Sequence, residues 1–202
     1  MVPQQESKTA QGYELQLRVN SLGGFLFAQF LRPVLATTAR TGPKNSVRVV
    51  CVSSSAAVMA PKSPINFNNM NYERDGSAMT KYMRSRVDSV IHAAEFARQT
   101  GCDGIISMSR PWNLMTDLQR IMPGNPITHE PKNGTYNQIF AGLSSEITEK
   151  NDGGWVAPFG RLPRPGGSFR GGTLGKGLEV VRRASQVLLN MTGHKRSIRQ
   201  TW

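Results

Sequence analysis

Two short polar segments carry residue types from which a proton-transfer site can be built. Ser53–Ala56 is a serine-rich run at the end of an apolar stretch, and Lys81–Arg86 places Tyr82 near the start of a long amphipathic segment. A phenol acts as an acid or base near neutral pH only when a cation lies close to it. Arg86 follows Tyr82 by four residues, which puts both side chains on one face of a helix. The spacing predicts a tyrosine acid/base beside a cation and a serine hydroxyl.

These segments need a scaffold that brings a strand end to a helix start. Apolar periodicity predicts long helices over Gly12–Arg40 and Ala78–Thr100. The first is expected to be heavily buried, because apolar residues occupy more than one of its sides. Continuous apolar runs rich in β-branched residues predict buried strands. The strands are expected at Val47–Ser53, Ile105–Ser109 and Gly154–Ala157, and a third helix is expected at Lys132–Leu143.

The order of these elements defines the fold class. Helices and strands alternate along the chain, which is typical of an α/β protein with a wound parallel sheet joined by crossovers. In such sheets the carboxyl ends of the strands and the starts of the following helices face one ligand crevice. The prediction is a partial wound parallel sheet, half of a complete one, in which a serine of the run 53–55 and Tyr82 meet at that crevice.

The positive charge is unevenly distributed. The net charge is +12 over 202 residues, but from Arg161 onward nine lysines and arginines face one acid, Glu179, so +8 lies in that segment. The segment is also glycine-rich, as flexible linkers are. We expect one domain over residues 1–163 and a flexible basic tail over 164–202, with spacing compatible with a short helix at Leu178–Met191. A basic tail can bind nucleic acid or anionic lipid nonspecifically, but without interleaved aromatic residues or a known motif this one does not indicate nucleic acid as a partner.

Other features narrow the class of protein. The N-terminus is polar and lacks the apolar core of a secretory signal. The apolar stretch Phe25–Ala36 is interrupted by polar residues and is too short to span a bilayer. The two cysteines, Cys51 and Cys102, and the three histidines lack metal-ligand spacing. The expectation is a soluble cytoplasmic protein with reduced thiols and neither a membrane nor a metal as a partner.

Four groups of residues resemble the short-chain dehydrogenase/reductase family, especially fungal members similar to retinol-dehydrogenase-like enzymes. They follow one another in the family's order and cover residues 12–160 together. The matching segments are Tyr13–Gln16 with Val19–Phe27 (VNSLGGFLF), Val49–Ala56 (VVCVSSSA), Tyr82–Arg86 (YMRSR), and Gly104–Ser107 with Asn113–Thr116. The resemblance implies the carboxyl-terminal half of a Rossmann-like, nicotinamide-dependent oxidoreductase.

The resemblance also implies a role for individual residues in hydride transfer between NADP or NAD and a small-molecule alcohol or ketone. Tyr82 would be the acid/base that exchanges a proton with the substrate oxygen. Ser54 would hydrogen-bond that oxygen, with the serines on either side of it as alternatives. Asn20 would take the family's proton-relay position, and Thr116 would bond the carboxamide end of the cofactor. Cofactor contacts are thus expected from Asn20, Tyr82, Arg86 and Thr116.

The sequence departs from the family pattern at three positions. Arg86 stands where the family has a lysine; arginine keeps the charge, but its guanidinium stays protonated and cannot pass protons on as an amine can. Trp112 follows Pro111 where the family usually has Pro-Gly, so its indole is expected to obstruct or reshape the nicotinamide pocket. Gly24 replaces a residue that is often histidine.

The chain contains no Gly-x-x-x-Gly-x-Gly turn before Asn20, and in the family that turn binds the cofactor pyrophosphate. Two interpretations therefore stand side by side. One is an oxidoreductase of fungal metabolism, and the other is a truncated, catalytically inactive member of the family. Family members commonly form homodimers through the helices that carry Asn20 and Tyr82, so the resemblance also implies a homodimer.

Overall fold

The fold is given by a computed structural model, which describes residues 6–61, 66, 68–69, 72–74, 76–110, 113–116 and 128–162. Trp112 and the basic tail lie outside the described residues, and so do the predicted domain boundary and the short helix of the tail. In chain order the helices and strands are α1 (Leu15–Leu17), a π-helical turn (Arg18–Leu22), α2 (Gly23–Thr41), β1 (Arg48–Val52), α3 (Ala78–Thr100), β2 (Ile106–Arg110) and α4 (Pro131–Leu143). Short 3₁₀ turns are formed by Ser55–Met59, Gly101–Asp103, Glu149–Asn151 and Pro158–Gly160.

The two strands form a parallel sheet. Arg48 pairs with Ile106 at one end of the register, and Val52 pairs with Arg110 at the other. Parallel neighbours require a long crossover, and α3 lies in the connection between them. The expected α/β class with a small parallel sheet is confirmed.

The prediction of a third strand at Gly154–Ala157 is wrong. In the described residues this segment makes isolated bridges instead of a strand, and one of them joins Ala157 to Arg161 in antiparallel orientation. Gly153 has a φ of +70°, which turns the chain immediately before the segment, and Pro158 lacks the N–H that would extend a ladder. Between these two breaks the chain makes bridges at single residues and no continuous ladder.

The first long helix differs from the prediction in regularity and in burial. The chain is helical without a break from α1 to the end of α2, but it widens into a π turn on the way. The expected heavy burial is wrong for α2, where only Phe25 and Ala36 are buried while Phe27 and Phe30 are 66% and 60% exposed. Its inner stripe packs on α3 and the sheet, and a two-stranded sheet covers only that side.

Two apolar clusters hold the elements together on opposite faces of the sheet. One cluster lies between α2, α3 and the starts of the strands, and the other lies between the sheet and α4. Adjacent residues of a strand point to opposite faces, so Ile105 joins the first cluster and Ile106 the second. The first consists of Ala36, Val47, Phe96 and Ile105, and the second of Ile106, Met108, Ala141, Ile147 and Val156.

Helix α3 is the element that positions the predicted site. Ser77 caps its start by accepting a hydrogen bond from the backbone N–H of Thr80 at 3.2 Å, which satisfies a donor that the first turn leaves unpaired. The cap fixes where the helix begins, and hence the direction in which Tyr82 points. From there the helical repeat places Ser85 and Ser89 on the same side as Tyr82.

Several features are absent from the part of the chain that the structure describes. It contains no helix that is both long and apolar enough to cross a membrane. It also contains no group of three or more His, Cys, Asp or Glu side chains able to hold a metal ion. Cys51 and Cys102 are both free thiols.

The cluster between α2 and α3 leads to a stability prediction with a matched control. Ile105 is 1% exposed, whereas Ile139 on α4 is 52% exposed. Ile105→Ala is expected to lower the free energy of unfolding by about 2–5 kcal/mol, because it removes buried methylenes and leaves a cavity. Ile139→Ala should cost less than about 1 kcal/mol, as surface substitutions do. Urea denaturation followed by circular dichroism measures both, and equal losses would contradict the assigned core.

Candidate active site

Tyr82 and Arg86 meet as their spacing predicts. Tyr82 lies in the second turn of α3 and is 4% exposed. The guanidinium carbon of Arg86 lies 5.1 Å from the centroid of the Tyr82 ring, a cation–π distance. One Nη of Arg86 donates to the Val52 carbonyl at 3.3 Å, and its Nε is buried with no hydrogen-bond partner. The cation therefore covers the ring of Tyr82 and keeps one buried donor unsatisfied.

Asn20 lies in the π turn and is joined to Tyr82 through a serine. The Asn20 Nδ2 donates to the Ser85 Oγ at 3.0 Å, and the Ser85 Oγ donates to the Tyr82 carbonyl oxygen at 2.9 Å. The Ser89 Oγ donates to the Asn20 carbonyl oxygen at 3.1 Å. The structure thus brings together two of the predicted site residues, and it adds two serines of α3 that the sequence analysis did not identify.

Ser53 and Ser54, which follow β1, differ in the hydrogen bonds that their hydroxyls make. The Ser53 Oγ donates to the Arg86 carbonyl oxygen at 2.7 Å, so its hydroxyl hydrogen is engaged by backbone. The Ser54 Oγ accepts a hydrogen bond from the Ala56 N–H at 3.2 Å and caps the 3₁₀ turn that follows. An accepting hydroxyl keeps its own hydrogen for another acceptor. Of these two serines, Ser54 is therefore the one able to donate to a substrate oxygen.

Ser54 and Thr116 are the predicted site residues for which the described residues show no hydrogen bond to Asn20, Tyr82 or Arg86. Thr116 is exposed at the end of the described segment 113–116. That segment is tied to residue His129, whose N–H donates to the Asn113 carbonyl oxygen at 3.0 Å. In residues 6–162, as far as they are described, no hydrogen bond joins Thr116 to Asn20, Ser54, Tyr82 or Arg86.

A buried polar chain lies beside Asn20 and was not predicted as a unit. The Ser21 Oγ lies 2.9 Å from the His92 Nε2. Burial raises the pKa of Asp88 to about 7, and a hydrogen bond with Ser21 and the charge of Arg84 oppose that rise. Burial lowers the pKa of His92 to about 4, with Glu95 opposing it. His92 is therefore neutral near pH 7, and Ser21 links it to Asp88.

A cavity of about 470 Å³ lies between α2 and β1. Its walls are mostly apolar side chains of these two elements. Its polar lining residues include Asn20, Ser21, Arg86, Ser89 and His92. Tyr82 and Ser54 do not line it. The cavity thus contacts two of the predicted site residues, Asn20 and Arg86.

The arrangement has the groups needed for proton transfer to and from a carbonyl or hydroxyl oxygen. It combines a buried phenol, a cation over its ring, a hydroxyl with a free hydrogen and an amide linked to the phenol's backbone. Acid/base catalysis of this kind requires such groups within hydrogen-bond reach of one reacting atom. All of them lie at the carboxyl end of β1, at the start of α3, or in the π turn packed against α3.

Solved structures with similar folds define the class of protein. An uncharacterized protein from Mycobacterium paratuberculosis matches with a TM-score of 0.64 at 22% identity, over 93% of this chain and 62% of that protein. The carbonyl reductase Sniffer of D. melanogaster matches with a TM-score of 0.53 at 17% identity, over 79% and 60% of the two chains. At these identities the likeness concerns the fold alone, which is a partial Rossmann-like α/β fold.

Sequence relatives give the family. The chain is 45% identical over 175 residues to the short-chain dehydrogenase/reductase pkfC of Emericella nidulans, covering 82% of this chain and 56% of the relative. It is 39% identical over 176 residues to a short-chain dehydrogenase/reductase of Phomopsis amygdali, covering 81% and 53%. No model of a protein family matches. The chain belongs to the short-chain dehydrogenase/reductase family and spans about half the length of these curated relatives.

The raised pKa of Asp88 predicts a pH-dependent effect of Asp88→Asn. Between about pH 4 and 7 the folded chain retains the Asp88 proton and the unfolded chain has lost it, so this group's contribution to stability falls as pH rises. Asparagine does not titrate, so the stability of the variant relative to wild type should rise over this range by up to roughly 1 kcal/mol per pH unit.

His92 acts in the opposite direction, because its lowered pKa makes stability rise between about pH 4 and 6.5, but it does so in both proteins. The difference between wild type and Asp88→Asn therefore isolates Asp88. Urea denaturation at half-unit pH intervals measures this difference. A constant difference from pH 4 to 7 would contradict a protonated Asp88.

Proposed function

We propose that the chain provides the proton-transfer site of an oxidoreductase that interconverts a small alcohol and ketone with NADP or NAD. The observation that carries the proposal is the connected group in which Asn20 contacts Ser85, Ser85 contacts the backbone of Tyr82, and Arg86 covers the Tyr82 ring. The names of the relatives and of the carbonyl reductase neighbour support the same class of reaction.

In the direction of reduction, Tyr82 donates its phenolic proton to the carbonyl oxygen of the substrate, and the product is the alcohol. Ser54 donates a hydrogen bond to the same oxygen and stabilises the negative charge that develops there. Asn20 then helps to return a proton to Tyr82 from solvent. In the direction of oxidation, the phenolate of Tyr82 accepts the proton of the substrate hydroxyl and becomes the neutral phenol. The cofactor, when bound, supplies or accepts the hydride at the substrate carbon.

The residues of this site fit the nicotinamide-ribose end of such a cofactor. Arg86 has a buried Nε donor without a partner, and a buried donor of this kind is satisfied by an oxygen acceptor such as a ribose hydroxyl. Asn20, Tyr82, Arg86 and Thr116 are the residues we assign to that end.

One observation favours the alternative, a catalytically inactive family member. Arg86 stands in the position of the family's lysine, and its guanidinium is held by the Val52 carbonyl and by the ring of Tyr82. An arginine does not release a proton at neutral pH, so proton return would depend on Asn20 and solvent. Cofactor binding with no turnover of any carbonyl substrate would favour this alternative.

Tyr82→Phe tests the proposed acid/base, and Tyr136→Phe is the matched control because Tyr136 is 64% exposed on α4. Loss of the phenolic proton donor should lower kcat for NADPH-dependent reduction of 9,10-phenanthrenequinone by roughly a hundredfold or more. The control should retain the wild-type rate, and both variants should bind NADPH or NADH saturably by nicotinamide fluorescence.

Two outcomes would contradict the proposal. Absence of saturable binding of NADPH and NADH at millimolar concentration would exclude cofactor use by this chain. Equal turnover by Tyr82→Phe and wild type would remove Tyr82 from the reaction and leave the acid/base role unassigned.

The exposed apolar face of α2 supports a homodimer as part of this proposal. Val19, Phe27, Phe30 and Val34 are between 49% and 66% exposed, although all are large apolar side chains. The last three follow one another at helical spacing and form a stripe. Apolar side chains that adjoin on one surface are characteristic of protein interfaces. The proposed partner for this stripe is the same helix of a second copy of the chain.

A charged substitution in the stripe tests the homodimer. Val34→Asp would bury an unpaired carboxylate at the interface, so it should convert a dimer to monomers. Val58→Asp is the matched control, since Val58 is 62% exposed outside α2. Sedimentation velocity measures the mass of each species. A monomeric wild type, or dimers of equal affinity in both variants, would refute the proposed contact.

A further inference from the structure

We propose that Ser85 is a positioning residue that fixes the orientation of the Asn20 side-chain amide and ties it to Tyr82. The inference rests on the proposed function, in which Asn20 and Tyr82 act in proton transfer. Ser85 has no role among those that the family resemblance or the helical spacing implies for the site residues. Ser85 lies between the two, one turn after Tyr82 on α3.

The hydrogen bonds of Ser85 determine which end of the amide it contacts. A serine hydroxyl has one hydrogen and two acceptor lone pairs. The hydrogen of Ser85 is donated to the Tyr82 carbonyl at 2.9 Å, so the hydroxyl can only accept from a second partner. Asn20 is 3.0 Å away and must present its N–H to that oxygen. Ser85 is 1% exposed, so solvent offers it no other partner.

A second serine, Ser89, holds the backbone of Asn20. The Ser89 hydroxyl donates to the backbone carbonyl of Asn20 at 3.1 Å. Ser89 holds the backbone of the π turn against α3, while Ser85 holds the amide nitrogen. Single π turns occur frequently at functional sites, and this one places Asn20 where both serines reach it. The side chain is thereby held in one conformation.

The fixed orientation determines which atom of the Asn20 amide, its nitrogen or its oxygen, faces Ser85. With its nitrogen directed at Ser85, the amide cannot also present its oxygen Oδ1 to that hydroxyl. Asn20 is also a lining residue of the cavity between α2 and β1, together with Arg86. Ser85 therefore fixes the orientation in which the Asn20 amide takes part in the proposed relay. Without the Ser85 hydroxyl the Asn20 Nδ2 loses the acceptor that holds it in this orientation.

The test compares four variants of the full chain. Ser85→Ala removes the hydroxyl, and Ser85→Thr restores it. Ser85→Cys keeps the volume but offers only a weak acceptor, so it replaces the alanine variant if that variant does not fold. Thr100→Val is the matched control, since Thr100 is buried on the same helix and its hydroxyl donates to the Phe96 carbonyl without contact to Asn20.

Two readouts are measured on each variant. The first is steady-state reduction of 9,10-phenanthrenequinone with NADPH. The second is the ¹⁵N–¹H signal of the Asn20 side-chain amide, assigned by its absence in Asn20→Asp. We expect Ser85→Ala to lower kcat roughly ten- to a hundredfold, as misplaced catalytic groups do, with KM within about twofold. Ser85→Thr and Thr100→Val should stay within about threefold of wild type, and only Ser85→Ala or Ser85→Cys should shift the Asn20 amide signal.

The outcomes separate this inference from the proposed function. Wild-type turnover that Ser85→Ala leaves unchanged would overturn the role of Ser85 and leave the oxidoreductase intact. A wild type that binds neither NADPH nor NADH would refute the proposed function, and the amide signal would then decide the inference alone. An Asn20 signal that is identical in wild type and Ser85→Ala would overturn it, and a shift that Ser85→Thr reverses would support the fixed orientation.

Discussion

The close approach of α3 to the π turn is the constraint on which the rest of the site depends. Ser21, Ser85 and Ser89 are small, and each is at most 6% exposed. Small side chains let the two helical segments pack closely, but buried hydroxyls must then find partners within the contact. They find them in His92, Asn20 and the backbone of Tyr82. The same contact that joins the two segments therefore orients the polar groups of the site.

The elements that the sequence predicts best are those with a strong periodic signal and clear ends. The predicted bounds of α3 agree with the structure, and the two strands of the sheet lie within one residue of their predicted positions. The burial of α2 was mispredicted because periodicity shows which sides of a helix are apolar and not what covers them. The strand expected at 154–157 failed because Gly153 and Pro158 interrupt its ends.

In the candidate site, likewise, contacts within one helix were predictable and contacts between different elements were not. The proximity of Tyr82 and Arg86 follows from helical spacing alone and was predictable. The choice between Ser53 and Ser54 was not, because it depends on which hydroxyl meets the carbonyl of Arg86. The link from Ser21 to Asp88 and His92 requires knowing that the π turn faces α3. Spacing within α3 places Ser85 and Ser89 on the side of Tyr82, but only the packed structure shows their common contact, Asn20.

The parallel pairing of β1 with β2 has a consequence for how the chain folds. The two strands are separated in sequence by the whole of α3, and such non-local pairing is slow compared with helix formation. Helix α3, with 23 residues, can form from local contacts before the strands pair, because helix formation is among the fastest steps of folding. A slip of one residue in the strand register would exchange the faces on which Ile105 and Ile106 lie. Each isoleucine would then be removed from the apolar cluster to which it belongs. The alternation of these two isoleucines between the two faces therefore specifies the register of the sheet.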